Sequence, residues 1–225
     1  MKTTFFSCLL LFMLVFSSVS FAQRTFAANK EPSYFTTTDQ SNWVYVLKDT
    51  TIEPVSVFKM DKGILKITGI SSGYLRTRKV YQEFELNVEW RWTETPGNSG
   101  VLVYIQPKDT IWPVCYQVQQ KVGDAGDIIC MNGLWAKECT DSLKFTVKKM
   151  LASNEKPVGE WNNMKVICIN RTLRVFVNGM LQNNITGLTA ATGFIGFQNE
   201  GKPLEFRNLS IINLNRKNND KRSNF

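Results

Sequence analysis

The chain has 225 residues, of which 43% are hydrophobic and 12% aromatic, enough to build the core of an ordinary globular domain. Its formal net charge is +8, and it contains no histidine. The lack of an imidazole excludes a Ser-His-Asp triad, a Cys-His catalytic pair and any His-ligated zinc site.

Residues 1–22 have the pattern of a cleaved signal peptide. Lys2 gives a positive start, residues 5–16 form an apolar run too short to span a bilayer, and residues 20–22 form a small-x-small cleavage site. Cys8 lies too early to be a lipoprotein acceptor. We therefore expect cleavage near Ala22 and an exported product in the periplasm or outside the cell, with no membrane span.

The rest of the chain divides into a lead-in over residues 23–39, a folded domain over residues 40–213 and a tail over residues 214–225. The tail carries four basic residues against one acidic residue. Basic tails can bind nucleic acid, but chain ends are more often disordered. We expect a disordered tail and predict no nucleic-acid partner.

Short runs of β-branched and aromatic residues alternate with turn signals along the folded part, a pattern typical of an all-β sandwich or barrel. The segment Val177-Asn178-Gly179-Met180 predicts a tight hairpin, and residues 142–149 fit either a short helix or a strand. The predicted strands are residues 43–47, 55–59, 64–68, 74–78, 83–92, 100–106, 116–120, 127–130, 163–170, 173–177, 180–185, 194–198 and 204–212.

Residues 83–92 give the clearest strand signal, because apolar and polar side chains alternate along the whole run. The apolar set should be buried between two antiparallel sheets, and the polar set should lie on the opposite face, either solvated or lining a concave groove. The apolar set is Phe84, Leu86, Val88, Trp90 and Trp92; the polar set includes Glu85, Asn87 and Glu89.

Four cysteines remain after cleavage, an even number that permits disulfides in an exported protein. Cys130 and Cys139 flank eight residues and are candidates for a bond that clips a loop. Cys168 lies in an apolar run and is equally explained as a small buried side chain.

Several segments, in order, resemble the 3-keto-disaccharide hydrolase family. The resemblance implies a concanavalin A-like jelly roll of two antiparallel sheets with a concave sugar-facing surface, and hydrolysis of glycosides whose sugar carries a ketone at carbon 3. The segments are Gly73-Tyr-Leu-Arg-Thr77, Phe84-Glu-Leu86, Glu89-Trp-Arg91, Asn98-Ser-Gly100, Tyr116-Gln-Val-Gln119, Gly123-Asp-Ala-Gly-Asp127, Lys156-Pro-Val-Gly-Glu-Trp-Asn162, Val177-Asn-Gly179, Ile195-Gly-Phe-Gln198 and Leu204-Glu-Phe-Arg-Asn-Leu209.

One position departs from the family pattern, because Gln117 stands where the family usually has an acid. An ordinary glycosidase needs two carboxylates, and a glutamine cannot transfer a proton. A ketone at carbon 3 changes the requirement, since it acidifies the proton on carbon 2 and lets one base start an elimination. Glu89 is our first candidate for that base and Asp127 the second, although Asp124 and Asp127 equally fit a structural role in a Gly-rich turn.

We assign the remaining candidate site residues to substrate binding rather than to proton transfer. Cations beside the developing enolate would stabilise it, and amides offer sugar hydroxyls both donors and acceptors. The candidates are Arg76, Arg78 and Lys156 for the enolate, and Asn98, Gln117, Gln119 and Gln198 for hydroxyls. No calcium-binding loop is complete, so we predict no metal and no cofactor.

Three functions follow from the sequence. The first is an exported hydrolase of 3-keto-glycosides or disaccharides, and the second is a non-catalytic carbohydrate-binding sandwich, which Gln117 favours. The third is an adhesion or structural protein. A groove that gathers Glu89, Gln117, Gln119 and Asp127 would favour the first two, and a flat, filled surface the third.

Overall fold

The computed structural model describes residues 40–140 and 145–215. The predicted signal peptide, the lead-in and residues 216–225 of the predicted tail lie outside the described residues. A 3₁₀ turn at Gln40–Asn42 and a short helix α1 at Pro54–Val57 accompany fourteen described strands. The strands are β1 Trp43–Leu47, β2 Phe58–Asp61, β3 Ile64–Ile67, β4 Gly73–Thr77, β5 Phe84–Trp92, β6 Gly100–Ile105, β7 Tyr116–Gln119, β8 Ile128–Cys130, β9 Thr146–Val147, β10 Asn162–Ile169, β11 Thr172–Val177, β12 Met180–Thr186, β13 Phe194–Asn199 and β14 Leu204–Asn213.

The strands form two seven-stranded antiparallel sheets that pack face to face, which confirms the predicted all-β jelly roll. We call them sheet 1, with strand order β1-β4-β13-β6-β7-β8-β9, and sheet 2, with order β12-β11-β10-β5-β14-β3-β2. In each sheet three of the six neighbouring pairs join strands that are not consecutive in the chain, so each sheet forms only when distant parts of the domain come together.

The core lies between the inner faces of the two sheets. Along β5 the exposure alternates strictly, and the apolar set predicted for burial is 0–3% exposed. Phe197 of sheet 1 and Phe206 of sheet 2 meet across the core with ring centroids 4.9 Å apart. Each such large apolar side chain contributes about 1.5–3 kcal/mol of burial free energy, so this layer fixes which face of every strand points outward.

Two local predictions have different outcomes. Residues 55–59 were expected to form a strand, but residues 54–57 form α1, because Pro54 occupies the first helical position and its fixed φ suits that place. The hairpin between β11 and β12 is confirmed: Asn178 and Gly179 adopt φ values of 46° and 81°, as a tight two-residue turn requires.

The four described cysteines are buried free thiols. Burial, together with the neighbouring Cys139 thiol, raises the pKa of Cys130 to about 12. The two thiols therefore lie side by side, and the disulfide between them stays a prediction. No helix in the described parts of the chain has the length and apolar character needed to cross a membrane.

Candidate functional site

Polar side chains gather on the outer face of sheet 1, on its central strands. Strand alternation points Gln117 and Gln119 of β7 outward, while Tyr116 and Val118 enter the core. Gln198 of β13 points outward as well, since the neighbouring Phe197 is in the core. These three glutamines are called the amide cluster below.

The amide cluster is held together by its own hydrogen bonds. Gln117 Nε2 donates to Gln198 Oε1 at 3.0 Å and to Gln119 Oε1 at 3.2 Å. Gln119 Oε1 also accepts from the backbone N–H groups of Gln120 and Lys121, at 3.1 and 3.3 Å. The three side chains are only 3–7% exposed, so their positions are closely defined.

Each glutamine keeps one amide group for a ligand. Gln117 Oε1 has no partner among the described residues, and neither do the Nε2 groups of Gln119 and Gln198. None of these three groups is among the fully buried unpaired atoms. The cluster therefore offers one acceptor and two NH₂ donors at an outward-facing surface.

Two glycines let the side chains of the cluster pack closely against the sheet. Gly100 pairs with Gln119 across β6 and β7, and a Cβ on it would lie 2.6 Å from Gln117 Cγ. A Cβ on Gly196, which pairs with Arg76, would lie 2.8 Å from Leu75 O. Any side chain at either position would collide with its neighbours, so both glycines are required for the close packing of this part of the sheet, which places the Gln117 side chain over β6.

A partly buried carboxylate, Glu200, lies beyond Gln198 at the end of β13. Glu200 follows Gln198 by two residues on the same face, and it forms an isolated bridge with Asn98. Asn98 Nδ2 donates to Glu200 Oε2 at 2.6 Å. Burial raises the pKa of Glu200 above its ordinary value of 4.5, as expected for a carboxylate in a poorly hydrated place.

An arginine–carboxylate pair flanks the cluster on the β4 side. Arg76 donates to both oxygens of Asp109, at 2.7 and 2.6 Å, and Tyr74 OH donates to the same carboxylate at 2.9 Å. The guanidinium lies 4.0 Å from the ring centroid of Phe194. Hydrogen bonds from Arg76 hold the pKa of Asp109 below its usual range, so this pair stays charged and rigid.

Asp127, the second candidate base, lies on the β8 side of the amide cluster, opposite Arg76. Its backbone carbonyl accepts from Gln119 N, and its 1%-exposed carboxylate accepts from Lys148 Nζ at 2.7 Å and Lys149 N at 2.8 Å. The carboxylate is therefore neutralised and fully used in holding β9 against the Gly-rich turn.

Glu89, the first candidate base, lies on the outer face of sheet 2, and the expectation that it shares a surface with Gln117 and Gln119 is wrong. Its Oε2 accepts from Arg207 Nε at 2.7 Å and its Oε1 from Asn208 Nδ2 at 3.1 Å. Burial would raise the pKa of Glu89, but these bonds and the nearby positive charges outweigh it and lower that pKa. The packed core separates the two faces.

The remaining candidates divide between the surfaces. Lys156 is close enough to Glu89 for its charge to lower that residue's pKa, and it lines a cleft of about 420 Å³ at the end of the sandwich. Arg78 is exposed just beyond β4. Sheet 1 thus brings together Arg76, Asn98, Gln117, Gln119, Gln198 and Asp127, and it does not bring Glu89 or Lys156 to them.

The sequence interpretation missed Glu200 and Asp109. Glu200 had a usable signal, because it follows Gln198 by two residues and must share its face if the strand continues. Asp109 lies in a loop, and nothing in the spacing ties it to Arg76. In residues 40–140 and 145–215, no group of three or more Cys, Asp or Glu side chains is arranged to hold a metal ion.

Solved structures define the fold class. A candidate glycosyl hydrolase from Parabacteroides distasonis ATCC 8503 is 20% identical and superposes with a TM-score of 0.59, covering 78% of this chain and 90% of its own. The carbohydrate-binding module CBM66 from Bacillus subtilis is 10% identical, with a TM-score of 0.53 over 76% of this chain and 95% of the module. LamAcat from Zobellia galactanivorans is 12% identical, with a TM-score of 0.55 over 81% and 96%.

The sequence defines the family. Residues 32–212 match the 3-keto-alpha-glucoside-1,2-lyase-like domain, so the chain belongs to that family and the predicted resemblance is confirmed. Among proteins with curated descriptions, none matches this sequence.

Proposed function

We propose that the protein is an exported carbohydrate-active enzyme that binds a 3-keto-glycoside on the outer face of sheet 1 and releases its aglycone. The observation that carries the proposal is the amide cluster, with its three unpaired amide groups beside a carboxylate that has no cationic partner among the described residues. Family membership supports the substrate class, and residues 1–22 support export.

The chemistry of the amide cluster suits a neutral polyhydroxylated ligand. A sugar hydroxyl both donates and accepts, so it pairs well with a surface that offers Oε1 of Gln117 next to Nε2 of Gln119 and Gln198. The cations nearest the cluster are compensated, since Arg76 pairs with Asp109 and Lys148 with Asp127, whereas Glu200 has no cationic partner among the described residues. Such a surface favours an uncharged sugar over a phosphate or a carboxylate.

A ketone at carbon 3 allows release of the aglycone without a second acid. The ketone acidifies the proton on carbon 2, and its loss followed by departure of the group on carbon 1 is a 1,2-elimination. Water then adds to the double bond, and the net result is hydrolysis. One base is sufficient for this route, which fits a site where Gln117 replaces the usual acid.

The second candidate function is carbohydrate binding without turnover, which the same replacement favours. A glutamine at position 117 keeps the hydrogen bonds to a hydroxyl and removes a proton donor. This function needs the amide cluster and does not need Glu200 to be ionisable.

The experiment compares a 3-keto-disaccharide with the same disaccharide before oxidation. We expect binding by calorimetry, and release of monosaccharide only from the oxidised sugar. Binding of both sugars with no release would support the binding function. Absence of binding to either sugar would refute the proposed site.

A further inference from the structure

We propose that Glu200 is the catalytic base, and that it takes the proton from carbon 2 of the 3-keto sugar bound at the amide cluster. This inference rests on the proposed function. It assigns the proton transfer to a residue outside the two candidates that the sequence favoured, Glu89 and Asp127.

Glu200 differs from the neighbouring carboxylates in charge compensation. Three other carboxylates on these faces are paired with cations: Glu89 with Arg207 at 2.7 Å, Asp109 with Arg76 at 2.6 Å and Asp127 with Lys148 at 2.7 Å. A carboxylate paired in this way is a weak base, because the cation stabilises its charged form. Within the described chain, Glu200 has only the Asn98 amide as a polar partner.

Glu200 lies within reach of a sugar bound at the amide cluster. Glu200 and Gln198 are two residues apart on one strand face, about 6.5–7 Å between Cα atoms. One monosaccharide ring can therefore contact the amide cluster and Glu200 together. Asn98 fixes Oε2 of Glu200 and leaves Oε1 without a described partner, so the free oxygen is the one that accepts the proton and Asn98 is a positioning residue.

The surroundings of Glu200 also favour proton uptake. Burial disfavours the charged form of Glu200 and raises its pKa. A base with a pKa closer to the working pH accepts a carbon-bound proton more effectively than an ordinary carboxylate does. The other three carboxylates either have a lowered pKa or are neutralised by a cation.

The reaction balances without an oxidant or a reductant. The Glu200 carboxylate takes the proton from carbon 2, and the C–H electron pair forms the enolate of the ketone. The enolate collapses to a double bond between carbons 1 and 2, and the bond from carbon 1 to the aglycone oxygen breaks. That oxygen leaves with the electron pair and takes a proton from water. The hydroxide left from that water then adds to carbon 1 and Glu200 returns its proton to carbon 2, which gives the free 3-keto sugar and restores the carboxylate.

The test uses the full chain and its Glu200→Gln variant, which has nearly the same shape and keeps an acceptor for Asn98. The matched control is Glu205→Gln, because Glu205 lies on sheet 2 and pairs with Arg91. Three quantities are measured: release of monosaccharide from a 3-keto-disaccharide, affinity for it, and deuterium uptake at carbon 2 of 1,5-anhydro-3-keto-glucitol. The last probe has no leaving group, so it reports proton transfer alone.

We expect Glu200→Gln to lose about 10²–10⁴-fold in both release and deuterium uptake. Its affinity should stay within a few fold of the unmodified protein, and Glu205→Gln should keep both activities. In the unmodified protein, kcat/KM should rise with pH to a plateau above the pKa of Glu200, and the residual activity of Glu200→Gln should lack that rise.

The other outcomes separate the two proposals. If the unmodified protein turns over and Glu200→Gln keeps its deuterium uptake, the assignment of Glu200 is overturned and the proposed function stands. If the unmodified protein binds the sugar but shows neither release nor deuterium uptake, the enzymatic function fails, and the assignment fails with it. Circular dichroism of each variant identifies a loss that comes from misfolding.

Discussion

Glu89→Gln tests whether the ion pair on sheet 2 is structural. The substitution keeps an acceptor for Asn208 Nδ2 but removes the charge that faces Arg207 Nε at 2.7 Å. Arg207 keeps its other contact, since its guanidinium lies 4.0 Å from the ring centroid of Trp161. We expect the fold to persist with reduced stability and the activity on 3-keto-glycosides to be unchanged.

The size of the expected stability loss follows from the exposed fractions of the two side chains. The side chains of Glu89 and Arg207 are 26% and 37% exposed. An exposed ion pair is worth about 0–1 kcal/mol and a buried charged hydrogen bond about 1.5–3 kcal/mol, so this partly exposed pair should lie between the two. A loss of about 1–2 kcal/mol is expected, which lowers the melting temperature of a domain of this size by about 2–8 °C.

The stability loss caused by Glu89→Gln should depend on pH in a defined direction. The pKa of Glu89 is lowered in the folded protein, so its stabilisation is present above the ordinary carboxyl pKa of about 4.3 and is lost as the pH falls through the lower folded value. The difference in the free energy of unfolding between the two proteins should therefore shrink in acid. Urea denaturation at several pH values measures it.

Glu205→Gln is the matched control, because Glu205 accepts from Arg91 at 2.7 Å and that arginine also stacks on Trp161, at 4.6 Å. The two variants should behave alike in stability and in activity. A fall of 10²–10⁴-fold in turnover for Glu89→Gln alone, at unchanged melting temperature, would refute the structural role and return Glu89 to the reaction.

Three further predictions concern sheet 1 and the thiols. Gly100→Ala places a Cβ 2.6 Å from Gln117 Cγ and should weaken sugar binding by roughly tenfold or more, about 1.4 kcal/mol; unchanged affinity by calorimetry would contradict the assigned site. Gln117→Glu places a carboxylate 3.2 Å from the fixed Oε1 of Gln119, so the variant should be less stable by about 1–3 kcal/mol at neutral pH and should recover that stability in acid. A difference in urea midpoint that does not change with pH would contradict this. Treatment with oxidised glutathione should join Cys130 to Cys139 and raise stability by roughly 2–3 kcal/mol; two free thiols in a non-reduced digest after treatment would rule the bond out.

The sequence predicted the faces of single strands well, but it could not assign those strands to sheets. Alternation placed Phe84 inward and Glu89 outward, because the period of two is a local property of extended backbone. It likewise placed Gln117 and Gln119 together on β7. Whether β5 and β7 belong to one sheet depends on long-range pairing, and they belong to different sheets.

The same limit explains why the sequence did not point to Glu200, the proposed base. Glu89 lies in a family-like motif and attracted attention as an acid on a strong strand, whereas Glu200 follows a motif in which only Gln198 was singled out. Glu200 differs from Glu89, Asp109 and Asp127 in having no described cationic partner, and that difference depends on which side chains the fold brings near each carboxylate. Spacing along the chain carries no such information.

The central claim is that a 3-keto sugar binds on the outer face of sheet 1, and the side-chain amide NMR signals report it directly. Gln117, Gln119 and Gln198 are probes on that face, and Asn87 and Asn208 are matched probes on the outer face of sheet 2. Titration with a 3-keto-disaccharide should shift the three glutamine signals in a saturable way and leave the two asparagine signals in place. Shifts confined to Asn87 and Asn208 would contradict the account.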